Sequence, residues 1–161
     1  MTWTTPDLSD DHGDALRVLA PILRGFGGRE AFSGEVITLA CFEDNSFVKS
    51  LAEEPGRDRV LVVDGGASVR RALLGDQIAQ RFVDNGWSGL VINGAVRDVE
   101  ILRTLDLGVQ AIAAIPVKTE KRQLGDVGVP VAFGGITIVT GDFLWADANG
   151  VVVAESSVTR P

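Results

Sequence analysis

The stretch Leu73 to Asp98, LLGDQIAQRFVDNGWSGLVINGAVRD, decides how the rest of the chain is read. Two Gly-bearing turns in it each follow a strand-like segment and each open a helix-like one. The first carries Gly75-Asp76-Gln77-Ile78, the second Arg97-Asp98. Twenty residues, Gln77 to Val96, separate Asp76 from Arg97. Two helix N-termini, two carboxylates and one guanidinium in an apolar α/β framework suit a small anionic ligand and a hard metal ion.

Working outward, Arg59 to Asp64 (RVLVVD) is a continuous apolar run ended by a carboxylate. Such a run is expected of a parallel strand buried on both faces. Gly89 to Asn93 (GLVIN) and Val109 to Ile115 (VQAIAAI) repeat the pattern, with Gly94 expected to turn. Between them, Ile78, Ala79, Phe82 and Val83 share one helical face, as do Val99, Leu102 and Leu105. Asp76 and Asp98 are placed to cap these helices. Glu35 to Cys41 alternates as a further strand, followed by a helix opened at Asp44-Asn45 and carrying Phe47, Val48, Leu51 and Ala52. This strand–helix alternation predicts a parallel βαβαβ layer with right-handed crossovers. After Pro116 come a charged loop, Lys118 to Gly128, and four short strands. These are Pro130 to Phe133, Ile136 to Val139, Phe143 to Asp147 and Gly150 to Ala154, separated by hairpin signals.

At the N-terminus, Asp7 or Ser9 is expected to cap a short helix running through Leu16 to Leu19 and ending near Pro21. Residues 1–25 then form a helical arm, Arg24 to Gly28 a turn, and 155–161 a loose tail. A chain of 161 residues is expected to form one domain spanning 1–161.

Composition narrows the function. The net charge of −7 argues against nucleic acid as the main partner. No apolar run nears the ~20 residues of a membrane helix. The lone Cys41 forms no internal disulfide, and with no signal peptide evident a cytoplasmic setting is expected. Cys41 reads as a buried hydrophobe, His12 as a surface or N-capping residue, and Trp3, Trp87 and Trp145 as packing residues. Neither a dinucleotide fingerprint nor a phosphate loop is present, so Asp64-Gly65-Gly66 reads as a strand-ending turn.

At a parallel sheet, ligands bind beyond the carboxyl ends of the strands. Asp64, Gly75-Asp76 and Gly94 to Asp98 all follow strands and can share one rim, with Lys118 beside it. Two readings stand side by side. In one, Asp76 and Asp98 are plain caps and Arg97 pairs with a surface carboxylate. In the other they form a site where Asp98 holds Mg²⁺ or Mn²⁺, Arg97 grips an anionic oxygen, and helix N–H groups hold a carboxylate.

The segments VLVVDGGASVRRALLGDQIA, GLVINGAVRDVEILRTLDLGVQAI and PVAFGGITIVTGDFLWADANGVVV, with a TPDLSDDHG opening, resemble the regulator of ribonuclease activity A family. That family includes the 4-hydroxy-4-methyl-2-oxoglutarate aldolases and once carried a menaquinone-pathway methyltransferase label. The likeness covers nearly the whole chain. It implies a swivelling β/β/α fold, a homotrimer with sites at subunit interfaces, and a divalent metal. By position, Gly75, Asp76, Gln77 and Ile78 bind the substrate carboxylate and Arg97 binds the keto acid. Asp76 orients a metal-bound water as acid and base, and Asp98 holds the metal. The implied reaction cleaves 4-hydroxy-4-methyl-2-oxoglutarate to two pyruvates, with oxaloacetate decarboxylation as a side activity through the same enolate. One departure stands out: active members can carry an acid three positions after the metal-binding Asp, where this chain has Ile101. The regulator branch instead binds an endoribonuclease by protein contact, the second function expected of such a chain. Phosphohistidine carriers share the fold, but His12 lies far from any Gly-rich turn. A methyltransferase is disfavoured because its Gly-rich cofactor loop is missing.

Overall fold

The computed structural model describes residues 2–159. Helix α1 (Thr5–His12) opens the chain, capped by the Thr4 side chain, which accepts the Asp7 N–H at 3.2 Å. Pro6 sits in the first turn, where its missing N–H costs nothing. His12 closes this helix and does not cap its start. After a 3₁₀ turn at Gly13–Ala15, the expected helix over Leu16 to Leu19 is replaced by strand β1 (Arg17–Val18). Next, β2 (Arg24–Gly25) occupies the expected turn. Both are short edge strands whose pairing partners lie more than eighty residues away, so tertiary hydrogen bonding overrides local pattern.

The middle of the chain alternates as predicted, except that the helix expected to run through Leu105 ends at Leu102. It comprises β3 (Phe32–Ala40), α2 (Ser46–Ala52), β4 (Val60–Asp64), β5 (Ala72–Leu74), α3 (Asp76–Asp84), β6 (Gly89–Val96), α4 (Val99–Leu102) and β7 (Gly108–Ala114). The remainder is strand-rich: β8 (Asp126–Val127), β9 (Val131–Phe133), β10 (Ile136–Ile138), β11 (Phe143–Asp147) and β12 (Gly150–Ala154). Strands β3, β4, β6 and β7 run parallel side by side. The free edge of β3 is divided between two antiparallel partners. Strand β11 pairs with Phe32 to Glu35, and β8 pairs with Leu39 and Ala40. Strand β12 then extends the sheet from β11, and β1 closes that side.

Alternation along the parallel strands sorts the core into two layers. Leu61, Val63, Leu90 and Ile92 face α2, α3 and α4 through Leu51, Phe82 and Leu102. Val60, Val62 and Val91 face the antiparallel hairpins through Ile138, Leu144 and Val153. Each such side chain contributes roughly 1.5–3 kcal/mol on leaving water. Two glycines let β3 start early, at Phe32. A Cβ on Gly108 or Gly89 would lie 2.0 or 2.5 Å from the Phe32 ring. The layering is the expected mixed α/β architecture.

Strand β6 runs further than the sequence implies. All eight of its residues are buried, and it passes through Gly94 to Val96. Its pairing with β7 shifts between Ile92 and Ala95, and β5 partners the far end through Ala72 and Leu74. Gly94 is therefore part of a strand and not a turn. The tail is partly packed, with Val158 against the cluster of Leu8, Trp145 and Val152. Arg160 and Pro161 lie outside the described residues. Trp87 and Trp145 are buried and Trp3 packs on α1's cluster, as expected. Among the described residues, no helix is long and apolar enough to cross a membrane.

A single carboxylate pins the N-terminal helix to the β11–β12 turn. Asp147 accepts the Thr5 N–H at 2.8 Å, the Thr5 hydroxyl at 2.6 Å and the Asn149 N–H at 2.8 Å. Burial alone would raise its pKa, but these hydrogen bonds outweigh burial and hold the carboxyl below its ordinary range. The folded value thus lies below the unfolded one, so its stabilisation is full above the unfolded value of about 3.9 and fades as pH falls through the folded one. Replacing Asp147 by Ala also strands the buried Thr5 donors, and is expected to cost about 2 kcal/mol at pH 7. Thermal melting should show a drop of about 5 °C at pH 7. The gap between variant and wild type should narrow below about pH 4.

Candidate functional site

Strand β5 ends at Leu74, and Gly75 turns the chain into α3. Gly75 occupies the N-cap position, and Asp76 is the first helical residue. Asp76 is therefore not the cap that the sequence suggested. The first N–H of α3 is satisfied from elsewhere: Asp98 Oδ2 accepts the Asp76 N–H at 3.0 Å across 22 positions of sequence. Asp76 bends its own Oδ1 back to the Gln77 N–H at 2.9 Å. The Ile78 N–H has no partner among the described residues. The positive end of the α3 dipole adds to this donor for an anion.

Asp98 reaches this place because β6 carries the chain to the rim. The Arg97 N–H donates to Leu74 O at 2.9 Å, which locks the end of β6 against β5. Asp98 then adopts left-handed backbone geometry, φ 57° and ψ 39°, before α4. Such a conformation is unusual outside Gly, though Asp and Asn tolerate it best. It leaves the side chain free of its own helix and aims it at α3. Asp98 is thus at the N-cap position of α4 without capping it. The Arg97 Nε lies 3.8 Å from Asp98 Oδ2, a loose ion pair between half-buried groups.

Gly75 makes the approach possible. Its backbone is extended, so the requirement is steric and not conformational. A Cβ there would stand 2.8 Å from Asp98 Oδ2 and 3.2 Å from Arg97 Nε.

A cavity of about 220 Å³ opens at this rim, lined by Gly75, Asp76, Gln77, Ile78 and Arg97. All five residues expected to bind a substrate are brought together. Asp98 adjoins the cavity through its bond to the Asp76 N–H. Lys118 also lines it, as the sequence allowed. Lys49, Lys121 and Thr119 join them and were not anticipated. The available signal was scarcity: the chain has only three lysines, two of them within residues 118–121.

One expected neighbour is elsewhere. Asp64 accepts the Gly66 N–H at 2.9 Å and the Asn93 amide at 3.0 Å, forming the strand-ending turn. It faces an adjacent cleft with Cys41, Arg71 and Arg122, so the single rim of the sequence reading is two compartments. The Cys41 thiol is pushed up to about 12, first by burial and then by the Asp44 and Asp64 charges. Ile101 is 40% exposed on α4 and offers no oxygen to the site.

Among the described residues, no three His, Cys, Asp or Glu side chains gather into a ready metal cage. A magnesium-like ion that keeps most of its water needs only one or two carboxylates. Asp98 fits that demand, since its bond to Asp76 uses Oδ2 and leaves Oδ1 unpartnered among the described residues.

A curled mixed sheet, with helices on one face, hairpins on the other and a Gly-bearing turn at the strand ends, defines a class. The chain belongs to the RraA-like family, whose Aldolase/RraA model matches residues 5–153. It is 54% identical over 159 residues to a Pseudomonas fluorescens (strain SBW25) protein named "Putative 4-hydroxy-4-methyl-2-oxoglutarate aldolase", covering 99% of this chain and 98% of that one. The "RNA-processing inhibitor RraA" of Thermus thermophilis superposes with a TM-score of 0.95 at 43% identity, covering 99% and 96% of the two chains. A Geobacillus kaustophilus HTA426 structure called an S-adenosylmethionine: 2-dimethylmenaquinone methyltransferase gives 0.93 at 40%, covering 97% of each.

Adding one methyl group at Gly75 tests the contact between the two turns. Gly75→Ala is expected to fold and to push Asp98 off the Asp76 N–H. Amide exchange at Asp76 should accelerate by about tenfold, as for loss of one hydrogen bond to a charged group.

Proposed function

We propose that this protein is a divalent-metal-dependent lyase that cleaves 4-hydroxy-4-methyl-2-oxoglutarate to two pyruvates and, secondarily, decarboxylates oxaloacetate. The observation that carries this reading is the convergence of Arg97 and Asp98 on the Gly75 turn. One side of that turn offers donors for a carboxylate, the other a carboxylate for a cation.

In this reading the substrate's C1 carboxylate is held by the Ile78 N–H at the α3 N-terminus. The Gln77 N–H joins it when Asp76 rotates toward the substrate. Asp98 would hold Mg²⁺ or Mn²⁺, which when bound supplies Lewis acidity beside the 2-keto group. Arg97 presents a fixed fork of donors to that oxygen, where negative charge grows as the C3–C4 bond breaks. Asp76, through water, takes the proton of the C4 hydroxyl. The bonding pair passes to the C1–C3 fragment, and a returned proton at C3 completes one pyruvate. The C4 fragment, now a ketone, is the other. Oxaloacetate loses CO₂ in place of that second fragment, and the same oxygen and the same guanidinium take up the charge.

Purified protein with Mg²⁺ is expected to release pyruvate from both acids, and EDTA to stop it. Arg97→Ala and Asp98→Ala should each reduce kcat by about 10²–10³-fold, the usual effect of deleting a charge-stabilising group. Absence of pyruvate from either acid overturns the reading.

A second reading draws on the Thermus inhibitor of RNA processing, 43% identical with a TM-score of 0.95. Here the chain is a protein regulator that binds an endoribonuclease of the RNase E type. Its net charge of −7 suits contact with a basic protein surface better than with RNA. Co-purification with the endoribonuclease at physiological salt is the expected result, and Arg97→Ala should leave it intact. No complex at micromolar concentration removes this reading.

A further inference from the structure

The sequence contains three lysines, Lys49, Lys118 and Lys121, and all three line the cavity at Gly75 and Arg97. They arrive from two separate elements, Lys49 on α2 and the others on the segment after β7. None is ion-paired with a described carboxylate. Arg81, which also reaches this wall, is neutralised by Glu53 at 2.8 Å. An acidic protein has thus placed all three of its lysines around one small space.

The lysines are mounted on a rigid base. Asn45 O accepts the Lys49 N–H at 3.0 Å, and Asn45 Oδ1 accepts the Thr119 hydroxyl at 2.6 Å. Thr119 stands next to Lys118 and two residues before Lys121. One buried residue therefore seats both lysine-bearing elements. Asp44, also buried, takes the Arg122 N–H at 2.7 Å and fixes the same segment beyond Lys121. Of the charged residues lining the cavity, Asp76 alone is acidic; with Arg81 paired to Glu53 and Asp98 adjoining, Arg97 and the three lysines leave an excess of two positive charges. Like charges held close repel, and an entering anion relieves that repulsion.

A 2-keto acid bound by the Gly75 turn brings one carboxylate to α3 and leaves the lysines unanswered. Lys118 pairs along the backbone with Ala72, at the start of the strand that leads into Gly75. Lys49 comes from a different wall. We infer that the lysines form a second anion seat, for the distal carboxylate of the keto acid, with Lys49 as the residue that makes the site select dicarboxylates over monocarboxylates. The inference rests on the keto-acid reading above and names what that reading leaves open. The cavity, about 220 Å³, is small for a nucleotide, which disfavours nucleotides as the occupant.

Two acids without a 4-hydroxyl separate binding from cleavage: 2-oxoglutarate, with two carboxylates, and 2-oxobutyrate, with one. Titration calorimetry on the Mg²⁺-loaded protein should give 2-oxoglutarate a Kd lower by about tenfold or more, the effect of one charge-assisted pair. Lys49→Met should shrink that ratio below about threefold, and Lys49→Arg should keep it, because Arg preserves the charge. On the wild-type protein, 2-oxoglutarate should shield Lys49 from an amine-acetylating reagent, read by mass spectrometry, where 2-oxobutyrate does not. A ratio unchanged by Lys49→Met, or equal acetylation of Lys49 with either acid bound, overturns the lysine seat and leaves the keto-acid reading standing. Failure of both acids to bind overturns the two together.

Discussion

Strand β6 is the constraint on which everything else depends. Its eight residues are all buried, so every backbone N–H and C=O in it must find a partner inside the protein. Strands β4 and β7 supply those partners along its first half. Beyond the register shift after Ile92, β5 takes over one side. That late pairing draws the short Ala72–Leu74 strand alongside, and with it the Gly75 turn. The adjacency of Gly75 to Arg97 and Asp98 is thus a by-product of satisfying β6, and needs no separate device to hold it.

Much of this was legible in the residues. RVLVVD and GLVIN announce strands covered on both faces, and alternation within them assigns Leu61 and Val60 to opposite layers. The spacing of Ile78, Ala79 and Phe82 marks α3. What escaped reading is non-local. Leu16 to Leu19 carry no strand signal of their own and become extended because β12 offers an open edge. Gly94 resembles a turn in isolation, yet its lack of a side chain suits a crowded strand equally well. Asp98 looks like a cap for α4, and its left-handed backbone redirects it to α3 instead. The five residues that the resemblance assigns to binding line one cavity because their segments follow neighbouring strands. Lys49 and Lys121 were missed because nothing local distinguishes them from solvated charges, and only the tertiary fold brings two elements to one wall.

The relatives carry names from three kinds of protein: an aldolase, an inhibitor of RNA processing and a methyltransferase. Near-superimposable backbones under such different labels illustrate that a fold hosts functions without choosing among them. The choice has to come from charge and donor placement. Among the described residues, basic side chains predominate around the cavity beside Gly75, while the neighbouring cleft mixes acidic and basic side chains.

Cys41 has a practical corollary. The only thiol in the sequence is buried in the wall of the cleft beside Asp64, where burial pushes it up to about 12 and disfavours the reactive thiolate. Maleimide chemistry at neutral pH is therefore slow at this position. A cysteine engineered onto an exposed helix position would carry the sole fluorophore or spin label, with no need to remove the native one.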